Sequence, residues 1–302
     1  MPTTSTLPRS TRRLPSYVPW LLISPSIILL VALIAFPLIF ALKSSFYFWN
    51  LQMSPTPMGF IGWDNYKMAL SGGFFLGALY NTLLITVVGT AIEFVLGLAI
   101  ALFLVHKLPG MNVTRALLIM PTTIAPIVVG FLFRYMYDPN GGLVPWLLSS
   151  LGIPLPAEGL LGSGTTALWA VLFADIWQWT PFFAIVLYAG LLSIPPDIIE
   201  AARIDRASPF AMLMKIKIPL IKKTAMIVIM LRVMQLFNTF DLVLVLTKGG
   251  PGASTRTLGY SLYQYGLVDF NIGLASAMTW LMVVVVNAII ALLVFFAFKE
   301  LD

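Results

Sequence analysis

The chain has 302 residues with a formal net charge of +6; 59% of the residues are hydrophobic, only 10% are charged, and the mean hydropathy is +0.94. A soluble domain carries about 25% charged residues, so this composition excludes a water-soluble fold. The absence of cysteine excludes disulfides and thiolate chemistry, and the lone histidine, His106, argues against a histidine-rich metal site.

Six apolar runs are long enough to cross a bilayer, whose hydrocarbon core needs about 20 apolar residues per helix. The first run exceeds the apolar part of a signal peptide, which is about 7–15 residues, so we interpret it as a retained span. We therefore predict an all-α integral membrane fold, with a tail over 1–16 and a transmembrane domain over 17–302. The predicted spans lie at about 17–42, 78–105, 115–137, 166–192, 219–246 and 272–298.

The basic residues predict the orientation of these spans. With six spans, one side holds both termini, the loop at 106–114 and the long loop 193–218. The basic residues of that side are Arg9, Arg12, Arg13, Lys107, Arg115, Arg203, Arg206, Lys215, Lys217, Lys222, Lys223 and Lys299, against Lys43, Lys67, Arg134, Lys248 and Arg256 on the other. The positive-inside rule then places both termini in the cytoplasm. Because orientation explains the basic charge, no nucleic-acid partner is expected.

Segment 195–219, within and just beyond the long loop, is typical of two short helices. Pro195 and Pro196 with Asp197 suit a helix start, and Ser208 with Pro209 repeats the signal. Small and apolar side chains stand among the charges of this water-facing loop, namely Ile198, Ala201, Ala202, Phe210, Leu213 and Met214. Either the bilayer surface or the groove of a partner protein could cover them, and the residues alone leave both open.

The same segment resembles the EAA loop of binding-protein-dependent ABC importer permeases, whose pattern is Glu-Ala-Ala, three residues, Gly, nine residues, Ile-x-Leu-Pro. The residues that fall in register are Glu200, Ala201, Ala202, Ile216 and Pro219. Ile218 replaces the usual leucine, and Arg206 replaces the usual glycine. The second change bears on the turn, since glycine adopts positive φ at little cost. The resemblance implies that an ATPase docks on Glu200, Ala201, Ala202, Asp205, Arg206 and Phe210.

Further motifs in the same order resemble the sugar-type permeases of the maltose and glycerol-phosphate importer group, from about residue 15 onward. They are Gly62-Trp63-Asp64-Asn65-Tyr66, Asn81-Thr82, Asp138-Pro139, Gly142-Leu143, Trp177-Gln178-Trp179-Thr180, Ser193-Ile194-Pro195, Phe240-Asp241 and Leu246-Thr247-Lys248-Gly249-Gly250-Pro251. The Gly-Gly-Pro string resembles the first member of a permease pair. The resemblance implies a type I ABC importer permease fold in the bacterial inner membrane, with cytoplasmic EAA coupling helices.

The resemblance also implies a function and a set of partners. The chain would form half of the pathway of an ATP-driven importer of a carbohydrate or carbohydrate derivative, moving by rigid-body changes of its spans. The expected partners are a second permease in a heterodimer, two copies of a cytoplasmic ABC ATPase, an extracytoplasmic solute-binding protein and the lipid bilayer. The sequence lacks a Gly-x-x-x-x-Gly-Lys-Ser/Thr phosphate loop. ATP and Mg are therefore expected on the ATPase, with no catalysis and no bound cofactor in this chain.

Charged residues inside the predicted spans should avoid lipid, because each costs about 2.5–3.5 kcal/mol at the bilayer centre. They are Glu93, Asp175, Arg232 and Asp241. Amides, carboxylates and aromatic rings on adjacent spans suit sugar hydroxyls and C–H faces. The candidate substrate-pathway residues are Asp175, Trp177, Gln178, Gln235, Phe237, Asn238 and Asp241. Interhelical hydrogen bonds or ion pairs, such as Arg232 with an acid, remain an alternative for each, and for Glu93 this alternative is favoured.

Two other classes of function compete with an importer subunit. An ion-coupled secondary transporter would use Glu93, Asp175 and Asp241 to bind protons or sodium, but the loop pattern argues against it. An intramembrane enzyme would need a serine–histidine pair, a metal-ligand set or paired aspartates at a recognisable spacing, and the sequence offers none of these.

Overall fold

The computed structural model describes residues 17–106 and 109–298, which are mostly helical. The predicted tail over 1–16, with Arg9, Arg12 and Arg13, lies outside the described residues, as do Lys107 and Lys299. Within the described ranges, four helices are long and apolar enough to cross a membrane. They are α1 (Tyr17–Ser44), α3 (Phe74–Leu104), α8 (Ala167–Leu192) and α15 (Ile272–Phe298), matching the first, second, fourth and sixth predicted spans.

The predicted third span is broken. It consists of α4 (Met111–Thr123) and α5 (Pro126–Met136), whose axes differ by 94°. Ala125 has an extended backbone, with ψ of 136°, because the proline that follows it disfavours the helical conformation. Pro126 then occupies the first position of the new helix, where its missing N–H is harmless. The span predicted over 115–137 therefore corresponds to a bent pair of helices, which counts as one span only when the two are taken together.

The predicted fifth span is also interrupted. A short helix, α11 (Ile218–Leu220), leads into α12 (Lys222–Phe237), and α13 (Asp241–Leu246) follows after a three-residue break. At this break the Thr257 hydroxyl donates to the Thr239 carbonyl at 2.8 Å. Gly259 passes so close that a Cβ there would lie 3.0 Å from the same carbonyl oxygen. The count of six continuous spans is thus not confirmed in the described part of the chain.

The connections between the spans hold short elements. Strands β1 (Tyr47–Phe48) and β2 (Gly59–Phe60) pair antiparallel and precede α2 (Asp64–Ser71). The others are α6 (Leu143–Ser150), α7 (Gly159–Gly162), α14 (Leu258–Tyr263) and a π-helical turn at Gln264–Val268. Asn65 fixes the first connection, since its amide donates to the carbonyls of Ser45 and Tyr47 at 2.8 and 2.9 Å.

Helices α3 and α8 form the most extensive helix pair in the described structure. Their contact includes Leu98, Ala101, Phe183 and Leu187, all buried in one apolar cluster. At Gly97 the helices come so close that a Cβ would lie 2.5 Å from Cβ of Phe183. Small residues allow such approach between membrane helices, where packing replaces the hydrophobic effect as the driving force. This pair, with α12 and the α4–α5 bend, surrounds the site described below.

The long loop contains two helical segments, as predicted. The first is α9 (Pro196–Ile204), with Asp197 in its first turn. The second begins at α10 (Pro209–Ala211) and continues through a π-helical turn at Met212–Lys217 into α11. Ser208 caps the second segment, because its hydroxyl accepts a hydrogen bond from the Ala211 N–H at 3.2 Å.

Candidate functional site

A buried ion cluster joins three helices. Arg232 of α12, 1% exposed, donates from Nε and Nη2 to the two carboxylate oxygens of Glu93 on α3, both at 2.8 Å. Its Nη2 also donates to Asp175 on α8, and its Nη1 donates to Oε1 of Gln235 at 3.1 Å. Glu93 and Asp175 are likewise buried, as predicted for charged residues within the spans. The Arg232–acid pairing that the sequence left open is therefore present in the structure.

Two neighbours of this cluster have fixed orientations. The guanidinium carbon of Arg232 lies 5.0 Å from the centroid of the Trp179 ring, within range of a cation–π contact. Gln178 donates from Nε2 to the Ile124 carbonyl at 2.8 Å, which satisfies a backbone acceptor at the α4–α5 bend. Its Oε1 is buried and has no hydrogen-bond partner within residues 17–106 and 109–298. Buried carbonyl oxygens are normally paired, so this one is available to a ligand donor.

A cavity of about 130 Å³ opens beside the cluster. Its lining residues are Pro126, Asp175, Gln178, Trp179, Arg232, Gln235, Asn238, Thr239, Asp241 and Leu242. Five of the seven residues predicted for a substrate pathway are among them: Asp175, Gln178, Gln235, Asn238 and Asp241. Pockets for small-molecule ligands usually measure about 300–1,000 Å³, so this cavity is smaller than a typical ligand pocket.

Trp177 and Phe237, the other two predicted pathway residues, do not line this cavity. Trp177 is 37% exposed and packs edge-on against Phe133, with ring centroids 5.4 Å apart. Phe237 is buried in an apolar cluster with Val233 and Met278. Both lie one position from one lining residue and two positions from others, and residues at these spacings do not share a helix face.

Sequence reasoning missed the other five lining residues, which are Pro126, Trp179, Arg232, Thr239 and Leu242. A signal for two of them was present in the helical spacing. Trp179 lies four positions after Asp175, and Arg232 three positions before Gln235, so each shares a face with a predicted residue. Thr239 belongs to the break between α12 and α13, where helical spacing no longer applies.

The predicted docking residues form an exposed surface on the loop. Glu200, Ala201, Asp205, Arg206 and Phe210 are exposed, whereas Ala202 is buried. Phe210 is 70% exposed and the neighbouring Ile204 is 81% exposed. Such apolar exposure beside charges is typical of a surface that another molecule covers.

Arg206 occupies a backbone conformation that glycine prefers. Its φ is +55°, in the left-handed region, immediately after α9 ends. The turn that glycine usually forms in EAA loops is therefore formed here by an arginine. A non-glycine residue in this region carries a steric cost of roughly 1–2 kcal/mol.

We expect Arg206→Gly to preserve the fold, because the backbone conformation suits glycine. Arg206→Val should lower the free energy of unfolding by about 1–3 kcal/mol, since a β-branched residue resists positive φ. Denaturation of the purified protein, with hydrogen exchange of the loop amides, measures both effects. Arg203→Val within α9 is the matched control, and equal losses at positions 203 and 206 would contradict this account of the turn.

Comparisons with known proteins agree with this architecture. Residues 93–299 match the family model described as "binding-protein-dependent transport system inner membrane component". The trehalose/maltose transport system permease protein MalF of Thermococcus litoralis is 36% identical over 226 residues, covering 74% of this chain and 76% of the relative. The trehalose transport system permease protein SugA of Mycobacterium tuberculosis is 35% identical over 261 residues, covering 86% and 82%.

The fold itself also has a solved counterpart. A bacterial alginate ABC transporter, crystallised in complex with an alginate pentasaccharide-bound periplasmic protein, contains a chain that superposes with a TM-score of 0.77. That chain is 20% identical, and the superposition covers 92% of each chain, which establishes the ABC importer permease fold. The family match spans more than half of the sequence and holds Glu93, Asp175 and Arg232 together with the whole loop. The chain therefore belongs to the binding-protein-dependent transport system inner membrane component family.

Proposed function

We propose that this chain is the transmembrane permease subunit of an ATP-driven, binding-protein-dependent importer of a carbohydrate or carbohydrate derivative, and that it forms half of the translocation pathway. The observation that carries the proposal is the small polar cavity on α8, α12 and the α4–α5 bend, where the buried Oε1 of Gln178 has no hydrogen-bond partner among the residues that the structure describes. Sugar hydroxyls both donate and accept hydrogen bonds, which suits amides and carboxylates held on rigid helices. The relatives named for trehalose and maltose support the same class of solute.

The lining residues have distinct roles in this proposal. Gln178, Gln235 and Asn238 bind hydroxyl groups, Asp241 accepts hydrogen bonds from them, and Asp175 holds Arg232 in place beside the solute. Trp179 offers an aromatic face for sugar C–H groups. Trp177 and Phe237 were also predicted for the pathway; in this proposal they do not contact the solute but pack behind the lining residues and support them. The cavity is too small to enclose a sugar ring, so a second permease supplies the remaining walls.

The exposed loop is proposed as the docking surface for a cytoplasmic ABC ATPase, present in two copies in the importer. Glu200, Asp205 and Arg206 would make polar contacts at the edge of this surface. Ala201 and Phe210 would enter a hydrophobic groove of the ATPase, and the buried Ala202 would shape the docking surface from within α9. ATP and Mg are bound by the ATPase, and this chain acts as a non-catalytic subunit. The orientation is then fixed, with the loop and both termini in the cytoplasm and a solute-binding protein delivering solute on the opposite side.

Reconstitution tests this proposal. Proteoliposomes that hold this chain with its second permease and the ATPase should take up trehalose or maltose only when ATP and the binding protein are supplied. Accumulation of either sugar by this chain alone, driven by a proton or sodium gradient, would instead support the ion-coupled secondary transporter and overturn the proposal.

The charge reversal Glu200→Lys tests the docking surface. We expect uptake and sugar-stimulated ATP hydrolysis to fall about tenfold or more, because a like-charge contact at an interface costs more than 1.4 kcal/mol. Folding should be unaffected, since Glu200 is exposed and lies at the protein surface.

Glu158→Lys, an equal reversal at an exposed site before α7 on the opposite side of the membrane, is the matched control. It should retain ATPase binding and coupling. Normal uptake, coupling and subunit assembly in Glu200→Lys would remove the loop from the docking interface.

A further inference from the structure

The ionisable groups around the cavity include more carboxylates than cations. Its lining includes the carboxylates of Asp175 and Asp241, and a third carboxylate, Glu93, lies directly behind Arg232. Arg232 is the single cation of the described residues that lines the cavity, and it is bound to Glu93 and Asp175. Asp241 forms no ion pair within the described ranges. The lining and the residue directly behind it thus hold three carboxylates and one guanidinium, and even one proton shared among the carboxylates would leave a negative excess.

The helix termini at the cavity do not reverse this sign. Helix α5 begins there with Pro126, and its N-terminus carries a partial charge of roughly +0.5. The shorter α13 begins with Asp241 itself, whose carboxylate offsets the N-terminal end of that helix. The electrostatic potential in the cavity is consequently negative, and the surrounding low-dielectric spans strengthen it.

The hydrogen-bonding groups have a fixed polarity. Gln178 donates one amide N–H to the Ile124 carbonyl, which fixes the amide, and its Oε1 is left as an acceptor for the cavity. Gln235 spends its Oε1 on Arg232, so its NH₂ remains as a donor. A hydroxyl can donate to the first and accept from the second, whereas a phosphate, sulfonate or carboxylate group offers acceptors only. Anionic groups therefore meet one mismatched glutamine and an adverse potential.

We infer that this cavity selects uncharged polyhydroxyl solutes and rejects sugars that carry a phosphate, sulfonate or carboxylate group. The inference rests on the proposed function and narrows its substrate class. Asp241 is the specificity-determining residue, because its carboxylate is the one in the lining that no cation of the described structure neutralises. Gln178 accepts a hydrogen bond from a solute hydroxyl group, and Gln235 donates one. Glu93 is a positioning residue, because it holds Arg232, which in turn holds Gln235.

Thiol labelling tests the sign of the potential without knowledge of the solute. The chain has no cysteine, so Asn238→Cys introduces the single thiol of this chain, at an exposed position of the cavity wall, and labelling is followed on this chain alone after its separation from the partner subunits. The full chain, purified with its partner subunits, is labelled with trimethylammonium-ethyl methanethiosulfonate and, separately, with the sulfonato-ethyl reagent. The ratio of the two rates, divided by the ratio for a free thiol in solution, reports the local potential and cancels changes in thiol reactivity.

We expect this normalised ratio to favour the cationic reagent on the order of tenfold. Adding Asp241→Asn should bring the ratio close to one, while adding Asp138→Asn, an isosteric change at an exposed loop carboxylate, should leave it unchanged. A ratio of one or less in the Asn238→Cys protein, or no change on Asp241→Asn, would overturn the inference.

Protection by sugars separates this inference from the proposed function. Trehalose at high concentration should slow labelling by an uncharged methanethiosulfonate, and trehalose 6-phosphate at the same concentration should not. Equal protection by the phosphorylated sugar would overturn the selection against anions. If neither sugar protects while the cationic preference persists, the carbohydrate assignment is wrong and the selection against anions stands.

Discussion

Arg232→Met should lower the free energy of unfolding by about 3–5 kcal/mol, because it leaves the carboxylates of Glu93 and Asp175 buried without a cation. The substitution also removes the hydrogen bond from Arg232 to Gln235, so both the cavity wall and the core should become less rigid. Unfolding in mixed detergent–dodecyl sulfate micelles, followed by circular dichroism, measures the stability. Labelling of the Asn238→Cys thiol in the same background follows the cavity.

Lys67→Met is the matched control. Lys67 pairs with Asp64 at 3.0 Å, but the two side chains are 74% and 62% exposed, so we expect a change below about 0.5 kcal/mol. A rescue variant combines Arg232→Met with Glu93→Gln and Asp175→Asn, which removes every charge of the cluster at nearly constant volume. It should recover at least half of the loss, since the penalty is that of unpaired charge rather than of lost packing. A stability equal to that of Lys67→Met would contradict the ion cluster.

The sequence predicts which charges leave the lipid, but it does not predict how they pair. Hydropathy alone indicates that Glu93, Asp175 and Arg232 must face protein or water. Glu93 lies 139 residues from Arg232 in the chain, and Asp175 lies 57 residues away. No local spacing distinguishes these acids from Asp241 as partners of the arginine. The choice depends on how closely α3, α8 and α12 approach, which is a tertiary property.

Helical periodicity accounts for both the successes and the omissions at the cavity. Asp175 and Gln178 are three positions apart and share a face, and the same holds for Gln235 and Asn238. Extending that face by one position would have found Trp179 in place of Trp177. The pathway role of all these residues remains a prediction until uptake is measured.

The broken spans show a different limit of the sequence. Pro126 marks a helix start, but nothing in the local sequence gives the 94° angle between α4 and α5. The end of α12 is still harder to predict from local sequence, because residues distant in the chain contact it. The Thr257 hydroxyl donates to the carbonyl of Thr239, and Gly259 has no side chain to prevent the close approach of the chain. Apolar residues flank both breaks, so the pattern of apolar residues does not show how the backbone is arranged at either of them.

Three residues on one face of α3 explain how the helices approach closely enough for the ion cluster to form. Gly89, Glu93 and Gly97 are spaced four apart, so they lie above one another along the helix. A Cβ at Gly89 would lie 3.1 Å from Cδ1 of Leu172 on α8, and one at Gly97 would lie 2.5 Å from Cβ of Phe183. The two glycines thus bring α3 against α8 on either side of Glu93, and Arg232 of α12 binds both Glu93 of α3 and Asp175 of α8.

Gly97→Ala should therefore destabilise the protein although alanine is the better helix former. Its Cβ would meet backbone as well as side chain, at 3.0 Å from the Ala184 nitrogen and 3.2 Å from the Phe183 carbonyl carbon. Backbone cannot move aside as a flexible side chain can, so we expect a loss of about 1–3 kcal/mol, and a larger loss for Gly97→Val. The same micelle unfolding measurement gives the free energy.

Gly77→Ala, on the same helix, is the matched control, since no atom lies within 4 Å of a Cβ at that position. It should be neutral or stabilise the protein by up to about 1 kcal/mol through helix propensity alone. The two effects have opposite signs, so a shared change in detergent binding or expression cannot mimic them. Because Gly97 lies one turn from Glu93, Gly97→Val should also disturb the ion cluster, and its loss should overlap with that of Arg232→Met rather than add to it. Full additivity of the two losses would show that the close helix contact and the buried charges are independent.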